Sequence, residues 1–319
     1  VASLRGGIDL GGTKIQAAIV DPDGRVLGEA RHPTPTSGGP ADVARGMEDA
    51  LRESASAAGV RPEELGGVGV GSPGEVDGKA GVVSSARNLP GWGGSFPLGE
   101  ALAKALGTAV RVGNDVQVAT EAEFHFGAGR EFSSLIGVFW GTGVGGGLVL
   151  GGRSWVGRGA AGEIGHVVVR HGGAKCPCGR RGCLEAYAGR AAMEAEARRR
   201  HKEGAKTDLF KLMRKHGRDR LTSGIWERAL ERGDGLTEKL LDRAVEALGT
   251  GVASACNLID PEAVIVGGGL GVRFGERYME QLLGEMAKHL FVDERPPAVR
   301  VVSLGDLGGA IGASLLVAT

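Results

Sequence analysis

Aromatic side chains are scarce. Phe, Tyr and Trp make up 4% of the 319 residues, so aliphatic residues and alanine must build the core. Net charge is missing as well: 38 Lys+Arg face 38 Asp+Glu. That balance argues against a basic nucleic-acid surface or a polybasic membrane patch, and neither partner is expected. No run approaches the roughly 18 to 20 apolar residues needed to span a bilayer. The opening VASLRGGIDL lacks the basic and apolar regions of a signal peptide, so the expected location is the cytoplasm. Cysteine is nearly absent: of four, Cys176, Cys178 and Cys183 fall within eight residues. A disulfide framework would spread its cysteines to staple distant segments, so this clustering favours a metal. Cys256 stands in an apolar, helix-like context and reads as core.

Glycine is the one excess. There are 59, about 18% of the chain against a usual level of about 7%. They gather between apolar β-like runs, which predicts many backbone turns, several of them approaching phosphate or sugar closely. Hydrophobic residues at 42% and charged residues at 24% are ordinary for a soluble globular protein, and the length suggests roughly two domains.

Apolar runs on either side of the GGTK turn predict a hairpin over residues 7–20. A second turn follows at residues 21–24, then a strand at 25–30. Val43, Met47, Leu51 and Ala55 recur every four residues as the buried stripe of a helix that Gly59 suits as a cap. Strands are expected at 68–70 and 109–112, with helices at 98–106 and after Asn114-Asp115. The second half repeats the plan: a strand at 135–140, a glycine-rich turn, a return strand at 148–150, and helices filling roughly 184–258. A strand at 263–266 runs into Gly267-Gly268-Gly269, followed by a helix, a strand at 298–302 and a helix from about 307. The charged stretch 198–220 reads as a solvated helical face. Two hairpins with glycine-rich turns, one per half, suggest two α/β domains facing one ligand across a cleft.

Five motifs carry chemistry. In Asp9-Leu10-Gly11-Gly12-Thr13-Lys14 the glycine pair lets backbone N–H groups converge on phosphate oxygens. Thr13 and Lys14 add donors, and Asp9 suits a Mg²⁺ ion or its waters. A plain tight hairpin would show the same pattern, and neither a Walker A loop nor a dinucleotide fingerprint is present. Gly141-Thr142-Gly143-Val144-Gly145-Gly146-Gly147 follows a strong apolar strand and reads as a second phosphate turn. His166, Cys176, Cys178 and Cys183 have the spacing H-x9-C-x-C-x4-C, with Gly179 and Gly182 free to wrap the backbone round an ion. Three thiolates and an imidazole suit a closed tetrahedral Zn²⁺ site, and a closed site is structural. Asn114-Asp115, at a strand end and helix start, is explained by capping and the helix dipole alone. Glu163-Ile164-Gly165-His166, with Glu185 beyond the last cysteine, offers carboxylates of the kind that hold vicinal sugar hydroxyls, although surface glutamates look the same.

With these motifs in this order the chain resembles the ROK family (repressor, open reading frame, kinase), in particular its bacterial glucokinases. DLGGTK, Asn88 in RNLPGW, Asn114-Asp115, GTGVGGG, Glu163 to His166, CPCGRRGCLE and VIVGGGL carry the resemblance from residue 7 to about residue 312. It implies an actin-like α/β fold of two domains with a cleft between them: residues 1–115 plus 304–319 as the smaller, 116–303 as the larger with the zinc loop. It implies ATP- and Mg²⁺-dependent phosphorylation of a hexose, glucose at O6 first. Fructose, mannose or N-acetylmannosamine kinases of the same family are alternatives, as is a non-catalytic sugar sensor, and polyphosphate stays open as a donor.

By the same resemblance Asp115 is the catalytic base, and Asn88, Asn114, Glu163, His166 and Glu185 contact sugar. Asp9, Gly11, Gly12, Thr13 and Lys14, the turn Gly141, Thr142, Gly143, Gly145, Gly146 and Gly147, and Gly267 and Gly268 bind ATP. His166 serves twice, one ring nitrogen on zinc and the other toward a sugar hydroxyl. The family's glucokinases often have a serine-glycine pair after the zinc loop, where this chain has Ala188-Gly189-Arg190. Its repressors carry an N-terminal helix-turn-helix, for which six residues before the first strand leave no room. A homodimer or higher homo-oligomer is the family expectation.

Overall fold

Alternating apolar residues around the first turn pair as β1 (Arg5–Leu10) and β2 (Lys14–Val20), followed by β3 (Val26–Pro33) and helix α1 (Pro40–Ala57). The chain continues through β4 (Val68–Ser72), β5 (Glu75–Asp77), β6 (Val82–Ser84), β7 (Ser95–Phe96), α2 (Leu98–Leu106), β8 (Val110–Asn114) and α3 (Asp115–Phe126). Next come β9 (Leu135–Trp140), β10 (Val144–Leu150), β11 (Arg153–Ser154), α4 (Glu185–Ala188), α5 (Arg190–Lys202), α6 (Leu209–Lys215), α7 (Ser223–Glu231) and α8 (Gly235–Ile259). The chain ends with β12 (Ala263–Gly267), α9 (Gly268–Phe274), α10 (Met279–Ala287), β13 (Ala298–Val301) and α11 (Gly308–Leu315). This computed structural model describes residues 3–86 and 89–318. Among them no helix is long and apolar enough to cross a membrane.

Two units result. One comprises Val1–Ser133, Gly147–Ala161 and Ser303–Thr319; the other Ser134–Gly146 and Gly162–Val302. The sequence reading ended the first domain at residue 115. In the structure α3 stays with the first unit, because α11 packs against it.

The first unit is built on a sheet of order β3-β2-β1-β4-β8. β1, β2 and β3 are antiparallel, and β1, β4 and β8 are parallel. The alternation along β2 decides the layers. Ile15, Ala17 and Ile19 join the core that holds the α1 stripe Val43, Met47, Leu51 and Ala55. Ala18 and Val20 face the other way, toward Ala122, Ala310 and Ile311. The other sheet has the order β11-β10-β9-β12-β13, with β9, β12 and β13 parallel. The two orders match strand for strand, so the duplication seen in sequence is real. The small sheet β5-β6-β7 was not foreseen.

Many glycines turn the backbone with positive φ, as expected, Gly24, Gly59 and Gly107 among them, but the sequence did not foretell a second use. Many glycines sit where backbone meets backbone rather than at a ligand turn. A Cβ on Gly7 would lie 1.9 Å from the Ala310 carbonyl oxygen, one on Gly69 1.7 Å from that of Ala313, and one on Gly312 1.9 Å from that of Val118. Gly7 and Gly69 let α11 lie directly on β1 and β4, and Gly312 lets it lie directly on α3, which suits a core with few aromatic rings to fill wider gaps. Gly69→Ala must therefore push the helix off the sheet. A loss of about 3 kcal/mol is expected, at the upper end for overpacking, read as a lowered denaturation midpoint. An unchanged midpoint would contradict this packing.

Candidate functional site

In the first unit the turn between β1 and β2 is tight: the Gly11 N–H donates to the Lys14 carbonyl at 2.9 Å. Thr34 fixes it from the side, its hydroxyl donating to the Gly11 carbonyl at 2.7 Å. Gly12 and Thr13 are exposed at its tip. Lys14 pairs with Asp306 at 3.4 Å. Asp9, at the end of β1, is boxed in by α11, and a Cβ on Gly309 would lie 2.7 Å from its carboxyl carbon. Burial pushes the Asp9 carboxyl up to about 6, with Lys14 opposing and Asp306 adding to the shift.

Asn114 closes β8 and caps α3. Its Oδ1 accepts from the N–H groups of Val116 and Gln117, each at 3.1 Å. The capping read from sequence is thus correct, and it leaves the Asn114 amide nitrogen as the part able to donate elsewhere. Asp115 follows as the first residue of α3, its Oδ1 accepting from the Val116 N–H at 2.9 Å. Asn88 lies outside the described residues.

In the second unit two glycine turns lie together because β9 and β12 are parallel neighbours, in register from Ala263↔Leu135 to Gly267↔Phe139. Their carboxyl ends therefore finish side by side. A Cβ on Gly141 would be 3.9 Å from the Gly269 nitrogen, and one on Gly268, where φ is +79°, would be 2.6 Å from the Trp140 oxygen. The first turn is shorter than its sequence suggests. Gly141 N–H donates to Gly143 O at 3.0 Å, and β10 already begins at Val144. Gly145, Gly146 and Gly147 are strand residues. Gly146 packs on the Gly162 carbonyl and Gly147 on Thr120, where any Cβ would clash at 2.5 Å and 2.3 Å.

The cysteine loop draws in its predicted members. Ligand atoms of His166, Cys176, Cys178 and Cys183 all lie within 4.8 Å of one another. Cys178 and Cys183 sulfurs are 3.8 Å apart, the edge of a tetrahedron with Zn–S bonds of about 2.3 Å. Gly179 (φ +91°) and Gly182 (φ +84°) turn the chain round this point. Without metal, burial pushes the Cys176 thiol up to about 12, while the Arg180 backbone N–H pulls Cys178 down to about 7. The donor set fits a closed zinc-type site. His166 Nδ1 faces Cys176 at 3.9 Å, and its Nε2 faces Glu163 at 3.9 Å. The ring thus presents one nitrogen to the thiols and the other to an exposed carboxylate.

Glu185 stands between the two features. Its Oε2 accepts from the Val144 N–H at 3.0 Å, and its Oε1 lies 3.9 Å from the Cys176 sulfur. Sequence reading assigned it to sugar alone and missed its bond to the glycine turn. It missed Arg190 too, whose side chain donates to Thr142; a pairing 48 residues apart leaves no sequence signal.

The chain matches the ROK family over residues 5–319. It is 36% identical over 271 residues to the glucokinase of Thermotoga maritima, covering 85% of this chain and 83% of that one. Among solved structures it resembles the ROK hexokinase from Thermus thermophilus (TM-score 0.80, 35% identity, 98% and 97% of the chains). It also resembles a ROK family glucokinase from Streptomyces griseus in complex with glucose and AMPPNP (TM-score 0.82, 32% identity, 98% of each chain).

Proposed function

The chain belongs to the ROK family and has its actin-like α/β fold, and from that premise we propose that it transfers the terminal phosphoryl group of ATP to the 6-hydroxyl of glucose. The observation that carries this is the 32% identity over 98% of both chains to an enzyme solved with glucose and AMPPNP. The glycine turns and Asp115 of this chain supply the parts such a reaction needs.

Phosphoryl transfer has a loose transition state, so the protein mainly positions groups and balances charge. Asp9, Gly11, Gly12, Thr13 and Lys14, with the turn at Gly141–Gly143 and Gly267–Gly268, hold the donor phosphates. Asp9 would hold Mg²⁺ or its waters, and the ion would offset charge on those phosphates. Gly145, Gly146 and Gly147 keep the strand behind the Gly141–Gly143 turn thin. Asp115 accepts the proton of the attacking hydroxyl. That hydroxyl is very weakly acidic, so the proton moves late and an ordinary carboxylate suffices. Asn88, Asn114, Glu163, His166 and Glu185 bind the sugar. Zn²⁺ on His166, Cys176, Cys178 and Cys183 would be structural and would fix the imidazole, so that its second nitrogen is held ready for a hydroxyl. The protein acts in the cytoplasm as a homodimer or larger homo-oligomer, at the entry to glycolysis.

Glucose and Mg-ATP given to the purified protein should yield ADP and glucose 6-phosphate in equal amounts. Phosphorus–carbon coupling at C6 in the product spectrum reads the position directly, and a phosphate on C1 would exclude the 6-hydroxyl.

A further inference from the structure

Arg190 opens α5 against the first glycine turn of the second unit. Its backbone N–H donates to the Gly141 carbonyl and that of Ala191 to the Thr142 carbonyl, both at 3.0 Å. Its guanidinium reaches back to the same turn, one nitrogen donating to the Thr142 hydroxyl at 2.7 Å and another to the Leu221 carbonyl at 2.9 Å. The Leu221 segment also leads to the second turn, since a Cβ on Gly269 would be 3.1 Å from the Ser223 hydroxyl. One arginine therefore ties together the glycine turn and the segment that reaches the other.

The charge of this arginine is poorly answered. Both side-chain bonds go to neutral oxygens. The nearby carboxylate, Glu194, is engaged by Arg198 at 2.6 Å and by the Leu221 N–H at 2.9 Å. Burial works against the cation, and Arg220 adds like charge while Glu194 opposes both. A half-buried guanidinium with spare N–H donors, no dedicated carboxylate among the described residues and a glycine turn beside it is completed by an anion with several oxygens.

We propose that Arg190 is a donor-binding residue, which sets the Gly141–Gly143 turn through Thr142 and gives the phosphates of the nucleotide their positive partner in the second unit. This rests on the ATP-dependent reading above. A residue of purely structural use would disturb sugar and donor alike, whereas this one acts on the donor.

The test compares Arg190→Met, Arg190→Lys and Thr142→Val with the wild type. Hydrogen bonds to a charged group correspond to about ten- to a hundredfold in affinity. Arg190→Met should raise the KM for ATP by about that factor and leave the KM for glucose within about twofold. Arg190→Lys restores the charge without the fork and should recover part of the loss. Thr142→Val should shift the same constant less, and the Arg190→Met/Thr142→Val double variant should be no worse than Arg190→Met alone. An unchanged KM for ATP in Arg190→Met, or equal rises in both KM values, would overturn the proposal. Calorimetry with inorganic tripolyphosphate separates this from the kinase reading. If the wild type makes no glucose 6-phosphate, the kinase reading fails. A tenfold loss of tripolyphosphate affinity in Arg190→Met would still support the anion site, and equal affinity or no binding to the wild type would overturn it.

Discussion

Asp115→Asn is expected to lower kcat by about 10² to 10⁴, the usual range for loss of a general base, while glucose still binds. The substitution is nearly isosteric. Asn can keep the acceptor that takes the Val116 N–H, so the start of α3 survives. What disappears is the negative charge in the first turn, which the helix dipole values at only about 0.3 to 1 kcal/mol. Stability should therefore hardly change while turnover collapses. Calorimetric titration with glucose, beside a coupled assay, separates the two. Activity within about threefold of wild type would show that Asp115 only helps start a helix.

Removing the metal site is the second large effect. Purified protein should contain one Zn²⁺ per chain, held by His166, Cys176, Cys178 and Cys183, whose ligand atoms already lie within 4.8 Å of one another. Cys178→Ser leaves three ligands for an ion that needs four. Zinc content, thermal midpoint and glucose affinity should then fall together. Glucose KM should rise about tenfold or more, the scale seen when groups supporting a metal site are lost. The link is physical: Glu163 and His166 sit on one side of the loop and Glu185 directly follows Leu184, next to Cys183. Because Glu185 also accepts from the Val144 N–H, the glycine turn should loosen as well. Metal-free protein with full activity and an unchanged midpoint would remove both the structural zinc and the fixing of His166.

The parts of this molecule written in local sequence were readable. Residues 98–106 and 135–140 announce a helix and a strand with their apolar spacing, and α2 and β9 have those bounds. The clustering of His166, Cys176, Cys178 and Cys183 was readable too, since they fall within 18 residues and no distant fold is needed to bring them together. Glycine misled in two ways. In GTGVGGG it looked like one long loop, but β10 starts at Val144, because the sheet rewards pairing there and the missing side chains admit Gly162 and Thr120. At Gly7 and Gly69 it serves close approach of helix and strand, and at Gly312 of helix and helix, all of which depend on α11 from the far end of the chain. The strands β5 to β7 are two or three residues long, too short for any alternation to register. Glu185 to Val144 and Arg190 to Thr142 are contacts across 41 and 48 residues; only the fold makes them neighbours.

The central claim, an ATP-dependent glucose kinase, is met most directly by kcat/KM for a panel of sugars at saturating Mg-ATP. A site built to hydrogen-bond a hydroxyl rejects an analogue that lacks or misplaces it, because a protein group is left unpaired. Glu163, His166 and Glu185 with Asn88 and Asn114 would meet the equatorial hydroxyls of glucose. Glucose should therefore give the highest value. Mannose, inverted at C2 alone, should be measurable but poorer, and fructose poorer still. A higher kcat/KM for fructose or N-acetylmannosamine than for glucose would contradict the glucose assignment, and no ADP formed with any sugar would contradict the kinase itself.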